Sequence, residues 1–108
     1  MIDVVIFQNS NSDYIGFKTY GHAEYDDPGK DIVCSAVSAI AITILNSIEE
    51  LSDVNFTLDC DQENGDMAFM LKDLPDVKAQ TLMQAFVIGI SGIEESYGDY
   101  ICMTFKEV

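Results

Sequence analysis

The 108-residue sequence predicts an α+β domain with elements in the order ββαββαβ, an antiparallel sheet with two helices packed on one face. Three observations lead there. Three of five strand-like segments alternate apolar and polar residues, the two-residue period of strands with one wet face and not the continuous apolar runs of a parallel sheet, and the other two are rich in β-branched and aromatic residues. Two longer segments repeat apolar residues at helical spacing, and they interrupt hairpin-like strand pairs. No repeated or low-complexity tract breaks the chain, so residues 1–108 are expected to form a single domain around one core.

Taken in order, Val4 to Gln8 and Tyr14 to Gly21 are rich in β-branched and aromatic residues, and Asn9-Ser10-Asn11-Ser12-Asp13 joins them as a turn, which predicts a hairpin. Asp31 to Leu51 lacks Gly and Pro. It is apolar at Val33, Val37, Ile40, Ile44, Ile48 and Leu51, and Ala36, Ile42 and Leu45 extend the apolar surface nearly all round the expected helix. Val54, Phe56, Leu58 and Cys60 alternate with Asn55, Thr57, Asp59 and Asp61, which predicts a strand with Cys60 facing the core. Asn64-Gly65 turns the chain into residues 66–72, where Met67, Phe69 and Leu71 point inward until Leu74-Pro75 ends the strand. Asp76 is placed to cap a second helix that buries Ala79, Leu82, Phe86, Ile90 and Ile93. Ile101, Met103 and Phe105 then alternate along a closing strand, with Cys102 on the opposite face. The far face of the sheet shows Lys18, Tyr20, Thr57 and Thr104, and it can stay wet or meet a second subunit.

Nineteen Asp and Glu stand against five Lys, with no Arg, for a formal net charge of -14. Such a surface repels phosphate backbones and anionic headgroups, so neither direct nucleic-acid binding nor membrane binding is expected, whereas basic partners are attracted over a distance. Solubility alone is the plainer reading of the same charges. A short domain with one helix apolar nearly all round points to a homodimer. Cys34, Cys60 and Cys102 are an odd set without CxxC spacing, which argues against a disulfide framework and a zinc ribbon, and no metal or cofactor is expected. The first residues lack a basic leader, and no apolar run is read as reaching membrane-spanning length, so a cytoplasmic location is the expectation.

One stretch carries residue types suited to chemistry, from Gly21-His22-Ala23 through Cys34 to Ser38. With Asp31 as N-cap, Cys34 falls at the third helical position, among backbone amides that lack helical partners. Such placements stabilise a thiolate and lower a cysteine pKa from about 8.5 to roughly 3.5–7.5, and the same amides can hold an oxyanion. His22 ends the second strand, and the intervening loop can fold back to bring imidazole to sulfur, with His22 as general base and then acid. A packed core thiol and a surface histidine are the structural alternatives. Asp31 reads first as a helix cap and only secondarily as a group orienting His22. Ser38, one turn after Cys34, lines the site or bonds back to a helix carbonyl. Gly21 and Gly29 flank the loop and permit unusual backbone angles, while Glu24, Asp26 and Asp27 meet a basic substrate or form a solvated cluster.

The run Gly21-His22-Ala23, Tyr25, Gly29, Asp31-Ile32-Val33-Cys34 and Ala36-Val37-Ser38-Ala39 resembles the signature of the ribosomal-processing cysteine protease family, Prp. The resemblance implies a homodimeric cysteine endopeptidase that removes a short N-terminal extension from a basic large-subunit ribosomal protein, number twenty-seven, during ribosome assembly. His22 and Cys34 match the family's catalytic pair, and Gly21, Asp31 and Ser38 match positions supporting the site. The segment from Ala23 to Lys30, with Ala23, Tyr25 and Gly29, matches a substrate-binding loop; Glu24, Asp26 and Asp27 lie in the part of that loop the family leaves variable and stay surface candidates for substrate contact. Two rival readings are a non-catalytic dimeric α+β binding or regulatory module, and a metal site of His22, Cys34 and an acid, the latter poor in ligands of the usual types.

Overall fold

β-Branched and aromatic alternation produces five strands, and the two apolar helical repeats fold over one side of them. The elements are β1 (Ile2–Gln8), β2 (Tyr14–Tyr20), α1 (Pro28–Leu51), β3 (Phe56–Asp61), β4 (Asp66–Leu71), α2 (Val77–Tyr97) and β5 (Ile101–Glu107). The computed structural model describes residues 1–21, 28–61 and 65–108, with side chains in α1 described from residue 32 onward. The expected order ββαββαβ and the α+β class are as observed.

The strands form one sheet in the order β3-β4-β2-β1-β5. Pairing is antiparallel for β1–β2, β2–β4 and β3–β4, and parallel for β1–β5, where Ile2 lies opposite Ile101 and Gln8 opposite Glu107. The parallel pair follows from the connection. A helix between β4 and β5 returns the chain to the end from which β4 started, so β5 runs with β4 and therefore with β1. At the β1–β2 turn, the Asn9 side-chain oxygen accepts from the backbone amides of Asn11 (2.9 Å) and Asp13 (3.0 Å), the local bonding that makes asparagine a turn former.

Register puts Ile2, Val4 and Ile6 of β1, Phe17 of β2, Phe69 and Leu71 of β4, and Ile101 of β5 on the helix side, all buried. Val33, Val37, Ile44 and Ile48 of α1 and Ala79, Met83, Phe86 and Ile90 of α2 meet them in one core. Phe17 is its centre, with ring centroids 4.2 Å from Phe86 and 5.2 Å from Phe69. Three polar side chains pin α2. Asp76 caps it by accepting from the Ala79 amide at 2.7 Å, and it also accepts from the Ser52 hydroxyl at 2.8 Å, which ties the end of α1 to the start of α2. The Gln80 amide accepts from the Tyr14 N–H and donates to the Tyr14 carbonyl, and Glu94 accepts from the Met103 amide at 2.7 Å.

Four expectations need correction. Helix α1 starts at Pro28 and not at Asp31, because proline has a φ already helical and lacks only an N–H that the first turn would leave unbonded. Cys60 is exposed and Leu58 is 40% exposed, because β3 is an edge strand whose inner face the helices do not cover. Leu51 and Ile42 of α1 are exposed, not core. Finally, Ile32–Leu51 is long and apolar enough to cross a bilayer by length and composition, contrary to the reading that no run reaches that length; here its inner side is a core surface of the sheet.

Candidate functional site

Strand β2 ends at Tyr20, opposite Asp3, at the edge of the sheet where β1 and β5 begin. Gly21 follows with φ +95°, a left-handed conformation that favours glycine. A side chain there would place its Cβ 2.4 Å from the Met1 carbonyl oxygen, so the close passage of two backbones also demands glycine. The chain therefore leaves β2 in a fixed direction immediately before the segment 22–27. His22, Ala23, Glu24 and Tyr25 lie outside the described residues, as do Asp26 and Asp27.

The chain re-enters the described structure at Pro28, and Gly29 and Asp31 are the second and fourth residues of α1. Asp31 is therefore not the N-cap. Cys34 lies six residues beyond Pro28, in the second helical turn and about 9 Å along the axis from the helix start. By helix geometry the amides without a helical acceptor belong to the first turn, ahead of Cys34, and not to its own position. The Cys34 side chain is buried, 8% exposed, on the same core as Val33 and Val37. Ser38, one turn later on the same flank, is half-buried. The structure thus places Gly21, Cys34 and Ser38. Their relation to His22 lies outside the described residues.

Two surface hollows stand apart from Cys34. One, of about 210 Å³, is lined by Lys18, Asp59, Asp61, Asp66, Met67 and Ala68, and the Lys18 ammonium lies 5.3 Å from the centre of the Tyr20 ring. The other, of about 330 Å³, is lined by Leu51, Val77, Lys78, Thr81 and Leu82, where the end of α1 meets the start of α2. Among the described residues, no group of three or more His, Cys, Asp or Glu side chains is arranged to hold a metal ion. Sequence reasoning missed the tight passage of Gly21 over Met1. The only trace of it in the sequence was a glycine directly after a strand.

Comparison with known proteins adds what the described geometry leaves open. Residues 1–102 match the model of the family described as Cysteine protease Prp. The ribosomal processing cysteine protease Prp of Bacillus subtilis is 27% identical, the match covering 96% of each chain. A crystal structure of the essential ribosomal processing protease Prp from S. aureus in complex with a substrate peptide superposes with a TM-score of 0.92 at 27% identity, covering 98% of this chain and all of that one. A second S. aureus Prp structure, with a covalently linked product peptide, gives a TM-score of 0.88 at 28% identity over the same shares.

Proposed function

The chain belongs to the cysteine protease Prp family and is a cysteine protease of ribosomal processing; from that premise we propose that it is a homodimeric cytoplasmic endopeptidase that removes the N-terminal extension of large-subunit ribosomal protein number twenty-seven. Cys34 is the nucleophile and His22 its partner in this reading. The observation that carries it is the run Gly21-His22 to Cys34-Ser38, which spans from the end of β2 to the first turns of α1. Support for a peptide substrate comes from the S. aureus relative, whose structures contain a substrate peptide and a covalently linked product peptide.

In the proposed reaction His22 takes the Cys34 proton and the thiolate attacks the scissile carbonyl. A tetrahedral intermediate with an oxyanion forms on the attacked carbon. Collapse breaks the C–N bond, His22 gives the proton to the departing amine, and the acyl group stays on sulfur as a thioester. Water, deprotonated by His22, then hydrolyses the thioester and restores the thiol. Gly21 orients the chain entering the loop, Asp31 and Ser38 support the helix side of the site, and Ala23, Glu24, Tyr25 and Gly29 contact the substrate. The acidic surface steers a basic ribosomal protein toward the enzyme, without direct contact to nucleic acid or membrane.

The test incubates wild type and Cys34→Ala with the extended ribosomal protein and reads product masses by mass spectrometry. Wild type is expected to release the extension at one bond and Cys34→Ala to release none. Cleavage surviving the substitution would refute the assignment.

A further inference from the structure

The sheet has two edges, and the fold treats them differently. At β5 the outward amide of Met103 donates to the Glu94 carboxylate of α2 at 2.7 Å, so a helix closes that edge. The β3 edge is left open among the described residues. Its outward groups follow from the ladder. The Lys72 amide donates to the Asn55 carbonyl at 2.8 Å, which makes 55 and 72 a bonded pair, and bonded pairs alternate along antiparallel strands. Pairs 57:70, 59:68 and 61:66 are therefore bonded, and the backbone N–H and C=O groups of Phe56, Leu58 and Cys60 point away from β4. The side chains along this edge are sorted by face. Leu58 and Cys60, opposite Phe69 and Met67, lie on the side of the helices, which do not reach them. Asp59 and Asp61, opposite Ala68 and Asp66, lie on the other side and line the hollow of about 210 Å³. Three acids meet one lysine there, and the Lys18 ammonium lies 5.3 Å from the centre of the Tyr20 ring.

We propose that the open edge of β3 docks a basic, extended segment of the protein substrate, outside the bond that is cut; the inference rests on the ribosomal-protein reading and adds a second point of attachment to it. The outward groups of Phe56, Leu58 and Cys60 pair with the backbone of such a segment, which joins the sheet as a sixth strand. Alternation then sets its chemistry. Side chains on one face of the added strand meet Asp59 and Asp61, where Lys or Arg is favoured, and those on the other face meet Leu58 and Cys60, where apolar groups cover what the helices leave bare. Charge also excludes a second copy of the chain from this edge, because its own β3 would set acids against acids within a partner of net charge -14. Reach is short. Asp61 ends β3 opposite Asp66, next to Met67, which pairs with Thr19 near the end of β2. The docking edge and the strand end leading into Gly21 therefore lie at the same end of the sheet, two strand spacings or about 10 Å apart, which about three residues of extended chain cover.

Steady-state cleavage of two substrates separates docking from cutting: the extended ribosomal protein, and a synthetic peptide with the extension and the cut bond but none of the basic body. Wild type is expected to show the higher kcat/KM on the protein. Asp59→Lys and Cys60→Pro are each expected to lower kcat/KM on the protein about 10-fold or more while leaving the peptide within about twofold. Proline fits at position 60 because the N–H it lacks is one the β4 ladder does not use, and Cys60→Ser is expected to keep both rates, which separates the backbone from the thiol. Asp59→Lys alters only an exposed side chain, so the test survives a Cys60→Pro that fails to fold. Unchanged cleavage of the protein by Asp59→Lys, an equal loss on both substrates, or a wild type that prefers the peptide would overturn the docking edge and leave the cleavage reading standing. A folded Cys60→Pro that cuts the protein at the wild-type rate would overturn strand addition. A wild type that cuts neither substrate would overturn both readings.

Discussion

Replacing Gly21 with alanine tests whether the strand end before the candidate histidine is held by sterics. At φ +95° an L-residue pays about 1–2 kcal/mol for left-handed backbone. The added Cβ also meets the Met1 carbonyl oxygen at 2.4 Å, a contact that no real Cβ keeps, so one backbone must retreat. Met1 is at the chain start, and its movement is limited by the next amide, the Ile2 N–H, which donates to the Tyr100 carbonyl at 2.8 Å. Losing that bond costs about 0.5–1.5 kcal/mol. The sum is about 1.5–3.5 kcal/mol, a large part of the roughly 5–15 kcal/mol that holds a domain of this size. Urea unfolding followed by circular dichroism should show a lower midpoint with an unchanged slope, and melting should fall by about 10–20 °C. Gly21→Asn, which tolerates positive φ better but carries the same Cβ, should lose less than alanine and still be clearly destabilised. A loss below about 0.5 kcal/mol for Gly21→Ala would refute the reasoning.

Two further outcomes are expected. Phe17→Ala removes a fully buried ring stacked on Phe86 and Phe69 and should cost about 3–5 kcal/mol in urea unfolding, whereas Phe105→Ala, at a half-exposed ring, should cost far less. The Ala79 amide, followed by the Ser52 hydroxyl, holds the Asp76 carboxyl below its ordinary value of 3.8. A folded pKa below the unfolded one means stability that is present above 3.8 and lost as pH falls through the folded value, so the fall in melting temperature below about pH 4 should be shallower in Asp76→Asn than in wild type.

The element order was legible because alternation and helical spacing are local signals, and the Asp76 cap was legible because a carboxylate before an apolar helical repeat has few other uses. Strand direction was not legible, since Ile101, Met103 and Phe105 alternate identically whether β5 runs with β1 or against it. Leu58 and Cys60 show a related gap. Alternation states which residues share a face but not whether a helix reaches that face, and β3 lies at the sheet edge beyond them. The start of α1 was misplaced because Pro28-Gly29 reads as a breaker, while proline is well suited to a first helical position. The candidate site was legible as a motif, Gly21 and Cys34 included, but the depth of Cys34 in the helix depended on that misplaced start.

This depth changes what must activate the thiol in the proposed reaction. At the third helical position the helix end itself would stabilise a thiolate; in the second turn, about 9 Å inward and on a buried flank, that field has faded and burial opposes charge. Reactivity at neutral pH therefore depends on His22 more heavily than the sequence alone suggested. The rate of Cys34 alkylation against pH, measured in wild type and His22→Ala with the two other cysteines replaced by serine, separates the sources. If His22 supplies the activation, its removal should shift the alkylation profile to higher pH and abolish cleavage together. If the helix start supplies it, the profile would stay in place, and His22 would lose its role as the proton acceptor of Cys34.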